Sequence, residues 1–266
     1  MSPSRLGRRI LPLLFAVVLI FITALDARAW TCKTHIFIAR EAGITEPAAA
    51  CFPDMTRKEN DALLGPFHWH NPAPDAVVTA EYIERFGVSS EVFVKQDAYR
   101  AYSLSIKVPD PAGVLYWKIC DLYGAMKGAG RWEHEYYLTV IAHYVGDLSQ
   151  PLHNFPSGRI PAADGRSYPD VGIWAKSAHL SFDMALDPYL PLQAEEDRAI
   201  IDTASRPAVN SMTDLKREIA RIANASLALA NACYREKRGL TKKEALTQAA
   251  MSINLLKAVI EGTKSR

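Results

Sequence analysis

The stretch His143-Tyr144-Val145-Gly146-Asp147-Leu148-Ser149-Gln150-Pro151-Leu152-His153 closes a run that begins at Arg131. From 131 to 149 its apolar residues recur at three- and four-residue steps, the periodicity of a helix with one buried face. Pro151 lacks an amide hydrogen and ends such a helix, which places His153 in the following turn. On the helix, His143 and Asp147 stand four residues apart and project from the same side. Both side chains can therefore reach one metal ion. Downstream, His179-Leu-Ser-Phe-Asp183 repeats the spacing. A single such pair is more often a solvated surface pair. Two pairs and His153, in a chain with only seven histidines, shift the balance toward a metal site between helices.

The same periodicity predicts helices over 34–43, 76–86, 93–103, 111–128, 131–149, 175–187, 194–204, 208–236 and 241–262. No sustained alternation of period two is evident, so the fold class is all-α, a single helical domain with a multinuclear site between helices. Thr241 with Glu244 has the form of a capping box, and Leu246, Ala249, Ile253, Leu256 and Ile260 make an apolar face. Leu215, Ile219, Ile222, Leu229 and Cys233 make another, which only Ser226 interrupts. Proline and glycine gather at 151–172, which predicts a long irregular loop with a functional role.

Arg5, Arg8 and Arg9, an uncharged run from Ile10 to Leu25, and Ala27-Arg28-Ala29 follow the order of a secretory signal peptide over 1–29. Cleavage after Ala29 would begin the mature chain at Trp30 and send it to the periplasm or outside the cell. An uncleaved anchor is the alternative. The mature part, 30–266, has 27 basic against 28 acidic residues. That balance opposes a general duplex nucleic-acid binder. Export permits Cys32, Cys51, Cys120 and Cys233 to form two disulfides in any of three pairings, with free buried thiols as the alternative.

The motif His143-x3-Asp147-x3-Pro151-x-His153 resembles the zinc-dependent phospholipase C family, whose fold is shared with single-strand-specific zinc nucleases. The similarity runs over most of 30–183. It implies about three Zn²⁺ ions: one on Asp54, His68, His143 and Asp147; one on Trp30 (free amine and carbonyl), His35 and the shared Asp147; one on His153, His179 and Asp183. Asp183 stands where the phospholipases have Glu and the nucleases Asp. Asp54 is also implied to orient or deprotonate the attacking water, and Arg57 resembles a phosphate-steadying arginine of the nucleases. A surface role for Arg57 is the plainer alternative. His70 and His134 are left over as surface or supporting residues.

The resemblance thus implies an exported zinc-dependent phosphoric diester hydrolase in which a zinc-bound hydroxide attacks a phospholipid head group. Transient contact with a membrane surface and no obligate protein partner go with that reading. Trp30-Thr-Cys-Lys33 lacks the acidic residue some phospholipases carry there, and aromatic residues that would wrap choline are not evident around Met55 and Gly65. Trp69 could line a head-group pocket, stack on a base, or belong to the core. The alternatives are a single-strand nuclease or nucleotidase, for which nucleic acid would be the partner, and a catalytically silent zinc-binding module.

Overall fold

Helices dominate because the apolar residues of this chain recur at helical spacing and the strongest segments are capped by their own side chains. A computed structural model describes residues 30–57, 61–96, 101–158 and 160–264. The expected signal segment, 1–29, lies outside the described residues. In chain order the helices are α1 (Cys32–Ala42), α2 (Phe52–Arg57), α3 (Asp61–Leu64), α4 (Ala80–Glu84), α5 (Leu115–Met126), α6 (Arg131–Ser149), α7 (Pro169–Asp183), α8 (Glu195–Thr203), α9 (Met212–Glu236) and α10 (Lys242–Thr263). Short 3-10 turns at Pro47–Cys51, Gly65–Phe67, Pro151–Asn154 and Asp187–Tyr189 join several of them. Among the described residues no helix is long and apolar enough to cross a membrane.

The all-α class holds, with one correction. The segment expected as a helix over 93–103 is part of a hairpin, β1 (Val88–Gln96) antiparallel to β2 (Ala101–Pro109), in the register Val88↔Pro109, Val92↔Ser105 and Gln96↔Ala101. The reason is in the residues themselves. Tyr102-Ser-Leu-Ser-Ile-Lys-Val108 alternates apolar and polar positions strictly, and Val88, Val92 and Val94 are β-branched. Such a pair forms a ribbon that a helical pattern cannot accommodate.

α10 and the second half of α6 form the centre. Residues of α10 from Ala245 to Val259 are buried on most sides, and it packs against α6, α1 and α8. Its start is fixed by the expected capping box: Thr241 Oγ1 accepts from the Glu244 amide while the Glu244 carboxylate accepts from the Thr241 amide at 2.8 Å. On α9 the expected apolar face is buried, with Leu229 partly covered, and Ser226 is no flaw in it. Its hydroxyl donates to the Leu148 carbonyl (3.2 Å) or to Gln248 (3.1 Å), so it fastens α9 to the end of α6 and to α10. A second, smaller apolar cluster gathers Phe155, Phe182, Leu227, Cys233 and the partly covered Trp174 and Tyr234.

α7 begins at Pro169, six residues before the expected start, because proline at the first helical position sacrifices no hydrogen bond. The segment before it, 155–168, carries no helix or strand among the described residues, as the proline and glycine cluster predicts, and it is held to the body. Ala163 donates to the Asn71 carbonyl at 2.8 Å. At Gly158 and Gly172 two backbones cross: a Cβ on Gly172 would lie 2.3 Å from the Cα of Gly158. Only glycine permits that approach.

Of the two possible disulfides one is present, Cys32–Cys51, with Cα atoms 5.3 Å apart. It ties the start of α1 to the turn before α2. Cys120 and Cys233 are buried thiols, and burial pushes the Cys120 thiol up to about 12.

Candidate metal centre

Five segments deliver predicted donors to one place. α6 supplies His143 and Asp147 from adjacent turns, both fully buried. The 3-10 turn that Pro151 starts carries His153 against them, with Nδ1 3.4 Å from Asp147 Oδ1. α1 lays His35 flat on His143, ring centroids 4.0 Å apart, with Nε2 3.5 Å from Asp147 Oδ1. The turn before His68 brings Nδ1 within 3.0 Å of Asp147 Oδ2. Asp54, on α2, faces both His68 (3.7 Å) and His143 (3.8 Å) with Oδ1.

On the far side, α7 presents His179 Nδ1 at 2.9 Å from Asp183 Oδ2, the i, i+4 pairing expected, and the His153 and His179 rings lie 5.4 Å apart. Three groups result, the first two sharing His143: His35, His143 and Asp147; Asp54, His68 and His143; His153, His179 and Asp183. Within each, the donor atoms lie within 4.8 Å of one another. The third group is the one implied by resemblance; the other two differ from it, since His143 joins His35 as well as Asp54 and His68, Asp147 falls with His35 and His143, and Trp30 falls in neither. Trp30 is fully buried beside the groups, its indole donating to Ser149 Oγ at 3.3 Å. The Thr31 amide donates to the Asp183 carbonyl at 3.3 Å.

Several of these contacts are too long for hydrogen bonds. His35 Nδ1 and Nε2, Asp54 Oδ1, Asp147 Oδ1 and His153 Nδ1 are all buried without a hydrogen-bond partner among the described residues. Leaving one such atom unsatisfied costs about 1–3 kcal/mol. Two of them, His35 Nε2 and His153 Nδ1, lie 3.5 and 3.4 Å from a third, Asp147 Oδ1, a pattern that one shared cation would satisfy. Imidazole nitrogens with carboxylate oxygens also make the donor mixture that Zn²⁺ accepts. The buried His/Asp clusters could hold a metal ion, and these residues fit one.

The surroundings fix the donors. The Ala50 carbonyl can only accept, so Nδ1 of His143 carries the hydrogen that meets it at 2.8 Å and Nε2 keeps its lone pair for the cluster. Gln150 supports the third group from two sides, its amide donating to Asp183 Oδ1 at 2.7 Å while its carbonyl oxygen accepts from the His153 amide at 3.2 Å. At Gly146 any Cβ would meet His35 Nδ1 at 2.6 Å. Neither Gln150 nor Gly146 was singled out by sequence reading, although both lie inside the motif.

Burial lowers the basicity of His68 and, more strongly, of His153, which favours the neutral ring that binds metals. At His143 burial acts the same way, but the charge and hydrogen bond of Asp147 outweigh it and raise the value. Burial opposes the charge of Asp147 too, yet His143 and His153 hold its carboxyl well below the usual range. Burial raises Asp183. Tyr144, whose ring lies 5.3 Å from those of His68 and His143, is kept protonated by burial and by Asp147.

Arg57 is nearly buried, not a surface residue, and pairs with Asp61 at 2.9 Å. Its charge is felt at both His153 and Tyr144, which puts it at the edge of the cluster. Of the two expectations for His70 the supporting one fits: it is buried, its amide donates to the His153 carbonyl at 2.9 Å, Nδ1 meets the Gly113 carbonyl at 2.7 Å, Nε2 meets the Tyr82 hydroxyl at 2.8 Å, and burial lowers it to about 4. His134 stands apart on the outer part of α6. Trp69 packs on Gly65 and Gly113.

Comparison of the chain with protein-family models, with curated proteins and with solved structures finds no match.

Proposed function

We propose that this chain is an exported zinc-dependent phosphoric diester hydrolase of the phospholipase C type. The observation that carries the reading is the buried His/Asp cluster on Asp147, in which Asp147 Oδ1, His35 Nε2 and His153 Nδ1 have no hydrogen-bond partner among the described residues. Bound zinc would supply Lewis acidity, neutralising charge on the phosphoryl oxygens and lowering the pKa of water.

The chain's own residues do the rest. Asp54 lies at the open side of the cluster with its side chain 14% exposed, so it can orient the attacking water and accept its proton. Arg57 offers a fixed charge to a phosphate oxygen. Tyr144, held protonated, can donate a hydrogen bond to the same group. Buried walls on α1 and α6 exclude bulk water from His35, His143 and Asp147, while His179 on α7 is 20% exposed. Phe52 and Met55 stand 57% exposed on the same short helix as Asp54, apolar surface suited to a lipid substrate and to transient membrane contact.

The nuclease or nucleotidase reading is favoured by two features, Asp183 as the last donor and the burial of Arg57 beside the cluster. One experiment separates the readings: metal analysis, then mixed phospholipid micelles assayed beside single-stranded DNA and RNA. Two to three zinc ions and diacylglycerol release without nucleotide release are expected. Nucleotide release alone would replace the first reading with the second. Zinc without either activity would leave a silent zinc-binding module, and no zinc would end all three.

A further inference from the structure

Asp187 lies four residues beyond Asp183, in the turn after α7, and its carboxylate holds the start of α1. Thr31 Oγ1 and Thr34 Oγ1 (3.1 Å) both donate to its Oδ1. Its backbone carbonyl accepts from Lys33 Nζ at 2.6 Å. One turn of backbone therefore meets α1 through four bonds, counting the Thr31 amide on the Asp183 carbonyl. The same first turn of α1 carries His35, whose amide donates to the Thr31 carbonyl at 3.0 Å. Neither ring nitrogen of His35 has a hydrogen-bond partner of its own. What aims the ring is packing against His143 and the placement of α1.

We propose that Asp187 is a positioning residue, a latch that docks the segment from Trp30 to His35 on the end of α7 and so keeps His35 in register with Asp147. This rests on the metal-site reading. The Cys32–Cys51 disulfide anchors α1 on its other side, to the turn whose Ala50 carbonyl orients His143. The latch and the disulfide thus hold opposite flanks of one helical turn. Two of the three donor groups, those containing His35 and Asp183, are joined through the latch.

The test uses the full protein with its disulfide intact, comparing wild type, Asp187→Ala and the gentler Thr34→Val, with Asp170→Asn on the exposed first turn of α7 as control. Hydrogen exchange of the metal-stripped protein should show amides 30–35 exchanging at least tenfold faster in Asp187→Ala, with α9 and α10 unchanged. Metal analysis should then show the loss of about one zinc equivalent with the others retained. Thr34→Val should move both readouts the same way by less, which keeps the latch testable if Asp187→Ala does not fold. Unchanged exchange, or faster exchange with full zinc content, overturns the proposal. So does uniformly faster exchange with loss of all zinc, the signature of a merely structural residue. Should the wild type itself bind no zinc, the metal reading fails while the exchange result still decides the latch.

Discussion

His143 Nε2 and His68 Nδ1 face each other across 3.0 Å inside the protein, and the Asp147 carboxylate lies against both, 3.2 Å and 3.0 Å away. Two imidazoles with lone pairs converging on one point repel unless a proton or a cation lies between them. The His143 hydrogen is already committed to Ala50. A hydrogen on His68 Nδ1 can meet Asp147 Oδ2 or His143 Nε2, and a cation shared by these atoms would take its place; Asp147 lies against His35, His68, His143 and His153 alike.

Replacing Asp147 with Asn should accordingly remove more than one equivalent of zinc, whereas His134→Ala should remove none. Zinc should also stabilise the wild type by mass action, about 2.7 kcal/mol for one site at a hundredfold excess over its Kd. The rise in Tm on adding zinc should shrink in Asp147→Asn. Equal metal content in the two proteins would sink the shared role of Asp147.

Gln150 joins two donors without being one. Gln150→Ala should leave Asp183 Oδ1 and the Leu152 amide without these partners, while the His153 amide keeps the Gln150 backbone carbonyl, at a cost of about 1–3 kcal/mol. Supporting groups of this kind are worth roughly 10–100-fold in metal affinity. Gln150→Glu should be worse, since it sets a carboxylate against Asp183. Competition titration with a chromogenic chelator reads the affinity, and urea unfolding of the metal-stripped protein reads the stability. Wild-type affinity in Gln150→Ala would show that Asp183 and His153 are fixed by other means.

The residues that sequence reading placed well are those whose geometry is local. His143 with Asp147 and His179 with Asp183 are set by helical spacing alone, and Pro151 turns His153 in. Asp54, His68 and His35 lie on other segments. Only resemblance, not periodicity, pointed to them. The supporting contacts were not legible in advance: the Ala50 carbonyl reaches His143 across 93 residues and Gln150 reaches Asp183 across 33, distances over which spacing carries no information. The hairpin was legible in Tyr102–Val108 and was missed because its short alternation lies among segments of helical period.

Away from the metal centre, Glu244 gives a pH-dependent element of stability. The Arg238 guanidinium, bonding it at 2.8 and 2.9 Å, and then the Thr241 amide hold its carboxyl down at about 2 against an ordinary 4.5. A depressed carboxylate stabilises the fold in its charged form. Its contribution is complete above about pH 4.5 and fades as pH falls toward 2. Glu244→Gln keeps an acceptor for the Thr241 amide, so it should cost at most about 1 kcal/mol near neutrality, through loss of the partly exposed ion pair with Arg238. Urea curves of both proteins at pH 7 and pH 2.5 should show the gap narrowing at the lower pH. A gap that stays constant would assign the effect to packing.

Gly146 offers the sharpest test of how His35 is held. Alanine in the interior of a helix is ordinarily more stable than glycine by roughly 0.8–1.0 kcal/mol. Here the added Cβ would stand 2.6 Å from Nδ1 and 2.9 Å from Cε1 of the His35 ring. The ring cannot swing away freely, because His143 is stacked on it at 4.0 Å. Overpacking of this kind costs about 1–3 kcal/mol, enough to reverse the usual sign. Gly146→Ala should therefore lower Tm in the metal-stripped protein. It should also weaken zinc binding at the group containing His35 while sparing the group on His153, His179 and Asp183. A rise in Tm with unchanged zinc content would mean that the ring has room to move, and that His35 is not pinned against α6.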